Sequence, residues 1–379
     1  MKFLNNLTSG TLQWPVLFFC LLLSGSLQAQ QSTQWKEQTP WEGVPEYYKK
    51  WNYPNFQFPA TLSAWKAKRS SVYDTVVRLL GDIPPRPKNP KVQTLWREER
   101  NGYILEKFLI DNEVDAMIPG YLAIPTNTKG KPPVILGLHS HSTSKDHVFG
   151  FAGAFSNDVM ALLISNGFAL MSIDNAFHGE RLGKGPAGEN ETMAHNYDNQ
   201  LNAIFKIDQW FGRTIWGMQL RDEQIALDYL MTRNDVDTSK IGVEGMSMGS
   251  TRSWWLAAID NRIKAVVGAA CFYRYEQLIE QRQINAHGMY TFLPGMLKHF
   301  DTEAVMGLIA PRPFLALTGD SDKGSPVSGI RILEKKLGDV YGLYNKPEHF
   351  KSIIYPQTGH TYNNPMKLEM LYWFEKYLK

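Results

Sequence analysis

The 379-residue chain predicts an α/β fold: a mostly parallel central sheet covered by helices on both faces, with an antiparallel start. Two observations carry this. Runs such as VILGLH (134–139) and FALMSID (168–174) are continuously apolar rather than alternating, as strands buried on both faces must be. From residue 133 onward such runs take turns with segments of helical period.

The first stretch stands apart. Lys2 supplies a basic start, Trp14 to Leu27 (WPVLFFCLLLSGSL) an apolar stretch, and SLQAQQS small and polar residues. This pattern is that of a secretory signal peptide, residues 1–29, cut near Ala29. The apolar run is short for a membrane span, and no second one follows. The expectation is therefore a secreted or periplasmic protein with no stable membrane insertion after cleavage. An uncleaved anchor is the alternative. Of two cysteines, Cys20 leaves with the signal, so Cys271 has no internal partner for a disulfide.

Residues 30–90 read as an N-terminal arm and helix packed on the body. The arm is polar, aromatic and proline-punctuated; Leu62–Leu80 has helical spacing, and GDIPPRPKNP stops it. The main domain is expected over 91–379. Thr94–Arg100, Tyr103–Ile110 and Met117–Ile124 are short β-rich runs split by turn residues. Strand 134–139 follows, then a helix over Phe155–Ser165 and strand 168–174. Next come a helix over Met218–Arg233, a strand over Lys240–Gly245, a helix over Met248–Ile259 and a strand over Lys264–Ala270. Pro313–Gly319, Val327–Leu337, Ser352–Pro356 and Asn364–Tyr377 continue as strand, helix, strand, helix. Two interruptions, near 182–217 and 272–309, are too long for simple crossovers. They are expected over the C-terminal edge of the sheet, where such folds bind ligands.

Forty basic residues stand against 37 acidic ones, a net charge of +3. That balance gives no case for a nucleic-acid partner. No motif calls for a cofactor.

The most specific text is KIGVEGMSMGSTRSWWLA. Gly245-Met246-Ser247-Met248-Gly249 matches G-x-S-x-G between an expected strand and an expected helix, the setting the motif requires. Such a sharp reversal brings neighbouring residues so close that only glycine fits on either side of the serine. It also lifts the serine hydroxyl clear of the sheet. Ser247 is thus the candidate nucleophile. The bland alternative is a chance glycine turn.

A serine needs an imidazole to take its proton, and the imidazole needs a carboxylate to fix its tautomer. Chain order in this architecture runs Ser, then Asp or Glu, then His. His360 in QTGHTYNN lies just past the last strand and is the candidate base. His287 and His299 fall in an insertion, and His349 precedes its strand. For the acid, Asp322 stands far enough past its strand to turn back toward the base. Asp320, nearer the strand end, is the alternative, and there it would bind loop amides.

At this point the chain resembles the α/β-hydrolases, and within them the dienelactone hydrolase and acetyl xylan esterase-like group. LGLHSHSTSKD, DNAFHGER, RDEQIALDYLMTRNDVDTSKIGVEGMSMGS, APRPFLALTGDSDKGSP and TGHTY carry the resemblance, from about residue 133 to 360. It implies serine-dependent hydrolysis of carboxylic esters without a metal, with acyl groups on carbohydrates as the leading substrate class. Many relatives have His-Gly where this chain has His139-Ser140, and dienelactone hydrolases use a cysteine where Ser247 stands.

The HSHS run at the end of strand 134–139 admits two readings. In the hydrolase reading its loop helps form the oxyanion hole, with backbone N–H groups of Met248 and His141 as donors. His139, Ser140, His178, Glu180, Arg181 and Trp254 are then possible substrate-contacting or supporting residues, with a buried ion pair the plainer role for Glu180 and Arg181. Of Trp254 and Trp255, one is expected in the core and the other is a candidate pocket wall. In the rival reading His139 and His141 open a metal site of amidohydrolase type, completed from His147, His178 and Asp174. That architecture needs eight strand–helix repeats, which the pattern does not supply, and leaves Ser247 unused. A peptidase of the same fold and a catalytically silent binding protein are further alternatives. No large gating domain precedes the catalytic part, and the intact Ser, Asp and His speak against silence.

Overall fold

The structure is a computed structural model that describes residues 39–114, 116–153, 159–182 and 197–379. The segment expected as a signal peptide, and residues 155–158 of the expected 155–165 helix, lie outside the described residues.

Nine strands form one sheet in the order β1-β2-β3-β5-β4-β6-β7-β8-β9. The start is antiparallel: β1 (Val92–Arg100), β2 (Tyr103–Asp111) and β3 (Met117–Pro125) form a meander. β3 then pairs antiparallel with β5 (Ala169–Ile173). The remainder is parallel: β5 beside β4 (Pro133–Leu138), then β6 (Asp237–Met246), β7 (Ile263–Ala269), β8 (Phe314–Gly319) and β9 (Phe350–Tyr355). The expected fold class, mostly parallel with an antiparallel start, is the one observed.

The apolar runs behave as two-faced burial demands. In β4, Val134, Leu136 and Leu138 join one hydrophobic cluster and Ile135 the other. β8 divides likewise, Phe314 and Ala316 against Leu315 and Leu317. The first cluster is closed by α6 (Ile215–Leu230), α7 (Met248–Ile259) and α10 (Val327–Leu343) through Leu220, Trp254 and Leu333. The second is closed by α4 (Met160–Ser165) and α11 (Asn364–Leu378) through Leu163, Met370 and Phe374. Neither helical layer is stable alone; each buries its apolar stripe on the sheet.

Helix starts follow side-chain chemistry. The Thr214 hydroxyl accepts from the Gly217 N–H at the start of α6. Asn363 does the same for Met366 at α11. The 218–233 helix therefore begins three residues earlier than its apolar spacing suggests, because Thr214 is a better cap than any residue nearer Met218.

The 272–309 interruption folds as α8 (Tyr275–Glu280), three short 3₁₀ turns and α9 (Thr302–Gly307). The described part of the other interruption contains α5 (Tyr197–Trp210). Before the sheet lie α1 (Glu46–Lys49) and α2 (Leu62–Leu79), and α3 (Lys145–Val148) follows β4. No helix among the described residues is long and apolar enough to cross a membrane.

Candidate active site

Parallel strands end on one edge, and five of those ends, of β4, β5, β6, β8 and β9, lead into the candidate residues. β6 ends at Met246, and Ser247 turns the chain into α7 with φ 58° and ψ −118°. A positive φ is strained for a residue with a side chain. The flanking glycines make the turn possible. A Cβ on Gly245 would meet the Gly249 backbone, and one on Gly249 would run into the Leu138 carbonyl oxygen. The elbow is thus wedged against the end of β4, beside the HSHS loop.

β8 ends at Gly319 and β9 at Tyr355, and the loops after them bring Asp322 and His360 together. His360 Nδ1 lies 2.9 Å from Asp322 Oδ2, and His360 Nε2 lies 2.8 Å from Ser247 Oγ. The carboxylate accepts the Nδ1 proton, so Nε2 presents its lone pair to the Ser247 hydroxyl. Asp322 is buried, and its other oxygen accepts the Gly324 N–H at 2.8 Å. Burial pulls the His360 pKa down, but the hydrogen bond to Asp322 and its charge carry it above the usual histidine value. Asp320 is occupied differently: its Oδ1 accepts from the Thr358 N–H and the Ser321 hydroxyl, at 3.2 and 2.8 Å.

The HSHS loop is held from several sides. Ser140 Oγ donates to the Met246 carbonyl at 3.0 Å, tying the loop to the elbow. Thr143 Oγ1 donates to the Ser140 carbonyl at 2.8 Å. The Arg252 guanidinium donates to the His139 carbonyl and pairs with Glu223 at 2.7 Å, both side chains fully buried. His141 reaches the cleft, its ring 5.5 Å from that of Tyr290. Met248 is the first residue of α7, where backbone N–H groups have no partner within the helix.

His139 turns inward. Its Nε2 accepts the Asn175 N–H at 3.1 Å, and its Nδ1 faces the Ser140 carbonyl at 2.9 Å. Both ring nitrogens are engaged in holding loops, and burial pulls its pKa well below the usual value. His178 is equally buried, with Nδ1 on the Ala176 carbonyl at 2.8 Å and a pKa pulled down to about 3 by burial. Asp174 serves Lys145, accepting from its Nζ at 2.8 Å and its N–H at 2.9 Å. Of the residues named for a metal site, His139, His178 and Asp174 are thus engaged in holding loops, whereas His141 faces the cleft. Among the described residues no group of three or more His, Cys, Asp or Glu is arranged around a metal position.

Other candidates belong to the scaffold. Glu180 pairs with Lys145 and Lys107, and Arg181 Nη1 with Asp222 at 2.7 Å. Trp254 and Trp255 are both fully buried, and Trp254 Nε1 donates to the Cys271 carbonyl. Neither tryptophan lines the cleft, because α7 is enclosed on every side and has no face left for a pocket.

Two neighbours were not singled out from sequence. The Cys271 sulfur lies 4.0 Å from Ser247 Oγ, its thiol pKa pushed up by burial. His287, from the 272–309 insertion, donates Nε2–H to the Gly324 carbonyl at 2.8 Å, clamping the loop that carries Asp322. Burial pulls its pKa down to about 4, so the ring is neutral. Its place in an insertion hid it, since nothing in sequence shows where an insertion folds back. Ser140, His141, Ser247, His287, Tyr290 and His360 line a cleft of about 530 Å³.

A parallel sheet with a strained serine elbow, and an Asp and a His from later strand ends converging on it, is the arrangement of an α/β-hydrolase. The Abhydrolase family model matches residues 44–358. A Bacillus subtilis protein named as a hydrolase, YtaP, is 34% identical over 310 residues, covering 79% of this chain and 97% of that one. A solved structure from Bacteroides fragilis, named as an acetyl xylan esterase, superposes with a TM-score of 0.65 at 18% identity, over 80% of this chain and 79% of its own. The glucuronoyl esterase from Solibacter usitatus does so at 0.64 and 16%, over 86% and 98%. The chain belongs to the Abhydrolase family of α/β-hydrolases.

Proposed function

We propose that this chain is an exported serine carboxylic-ester hydrolase working through an acyl-enzyme. One observation carries the reading: the continuous hydrogen-bonded line from Asp322 through His360 to Ser247 Oγ, 2.9 and 2.8 Å per link.

His360 Nε2 takes the Ser247 proton as Oγ attacks the ester carbonyl carbon. The carbonyl π electrons move to oxygen, and the N–H groups of Met248 and His141 stabilise the resulting oxyanion. Asp322 stabilises the imidazolium and keeps its orientation. The imidazolium then gives its proton to the leaving alcohol as the C–O bond breaks, leaving acyl-Ser247. Water, deprotonated by the same His360, attacks the acyl carbon. The collapse of that intermediate releases the carboxylic acid and returns the proton to Ser247.

Acyl esters of carbohydrates are the proposed substrate class. What supports this is the polar cleft, with Ser140, Thr143 and Asn285 on its walls, and the relatives named as carbohydrate-directed esterases. Export rests on the signal-like N-terminus, which suits action on polymers outside the cell. The test is turnover of acetylated oligosaccharides and simple esters by wild type and Ser247→Ala. Turnover confined to wild type is expected; equal turnover by both would remove the serine mechanism.

A further inference from the structure

Beside the catalytic cleft lies a second hollow of about 750 Å³. Segments outside the central sheet build it: Tyr48 and Trp51 from the N-terminal arm, Phe205 from α5, and Ile284 and Phe292 from the 272–309 insertion. The arm is fastened to the insertion, since the Trp41 N–H donates to the Glu280 carbonyl at 3.0 Å. The Phe205 and Phe292 rings pack edge to face at 5.7 Å. Tyr48, Trp51, Ile284 and Phe292 keep 41–52% of their surface exposed. Exposed apolar side chains are unremarkable when scattered, but here they gather around one concavity, which is the mark of a binding surface.

The two hollows adjoin. Asn285, His287 and Gly288 line both. At Gly288 the partition is backed by the Tyr290 ring, which a Cβ there would strike. His287 anchors the partition to the Asp322 loop through the Gly324 carbonyl.

We infer that this hollow seats a bulky apolar group, a fatty chain or an aryl ring, on the ester whose carbonyl lies at Ser247. The inference rests on the hydrolase reading and names the part of the substrate that reading leaves open. The walls are mainly aromatic and aliphatic, so a sugar ring here would find few hydrogen-bond partners on the protein. A hydrocarbon group loses no hydrogen bonds and gains by leaving water. An acetyl group alone occupies a small fraction of such a volume. The cleft takes the polar portion of the ester and the annex its apolar portion.

Two matched series locate that group. One holds methyl esters of acetic, octanoic and 3-phenylpropanoic acid; the other holds acetates of methanol, octanol and 3-phenylpropanol. kcat/KM is measured for wild type, Phe292→Asp and Ile284→Asp, both at half-exposed positions, with melting temperatures to check folding. In wild type, the bulky members of one series should exceed methyl acetate by about tenfold or more, the scale expected for burying a side-chain-sized apolar group. Each aspartate variant should reduce that preference about fivefold or more. The series that responds tells whether the acyl or the alcohol side enters the annex. Ser247-dependent turnover with no such preference, or with a preference both variants leave intact, overturns this inference alone. Absence of Ser247-dependent turnover for every ester sinks the hydrolase reading and this one with it.

Discussion

His360 Nε2 stands 2.8 Å from Ser247 Oγ although 113 residues separate them in the chain. The contact exists because β6 and β9 run parallel in one sheet, so the loops after them open on the same edge. If Ser247 is the nucleophile, a serine-directed phosphonate labels it and no other residue. Ser247→Ala should then lower kcat on the order of 10⁶-fold, as in a well-studied serine protease. Peptide mapping of the labelled protein and ester kinetics check this; a label elsewhere sinks the assignment.

Asp322 and Asp320 should separate cleanly. Asp322→Asn leaves the imidazole in the wrong tautomer and should lower kcat by roughly 10⁴-fold. Asp320→Asn loosens a loop that its carboxylate ties to Thr358 and Ser321. It should cost about 1 kcal/mol of stability and leave kcat of the folded enzyme near that of wild type. Measuring kcat and thermal melting for both decides, and the opposite pattern would make Asp320 the acid.

The pH profile follows from His360. The ring must be neutral to accept the serine proton. Burial lowers its pKa, yet Asp322 raises it more, so the net shift is upward from 6.5. Activity should be full at high pH and fall as pH drops through a value above 6.5. In Asp322→Asn the lowering by burial remains without its counterweight. The acid limb of kcat/KM should therefore move to lower pH, on a much slower enzyme. An unmoved limb would mean that Asp322 does not set the His360 charge.

The Arg252–Glu223 pair supports the loop from within. Burial pushes the Glu223 pKa up to about 7 although Arg252 opposes it. Arg252→Met would strand that carboxyl and remove the donor on the His139 carbonyl. A loss of about 3–5 kcal/mol is expected. Adding Glu223→Gln should restore part of it. Urea unfolding of the single and double variants reads the coupling; a strictly additive double variant would show that the pair does not interact.

Export predicts a mature protein that begins near Gln30. Intact-mass measurement of the protein recovered from outside the cytoplasm checks this. A full-length N-terminus on a membrane-associated protein would favour the uncleaved anchor.

By itself the sequence determined the features that short-range chemistry writes into contiguous residues. Continuous apolar runs announced a sheet buried on both faces, because such strands have no polar face to offer water. Gly245-x-Ser247-x-Gly249 announced the elbow, because only glycine tolerates that closeness of backbone. Chain order singled out His360. Tertiary structure decided what depends on where loops return. Asp322 and Asp320 are two residues apart, and only folding sets one against His360 and the other on Thr358. His139 and His141 are two residues apart as well, yet one ring is locked inside by Asn175 and the other reaches the cleft. The burial of both Trp254 and Trp255 depends on how many neighbours surround α7, which periodicity cannot count. The annex joins side chains from residue 48 to residue 292, and no local pattern records that they meet. A hydrogen bond or an apolar contact acts over a few ångströms in space, whatever the distance along the chain.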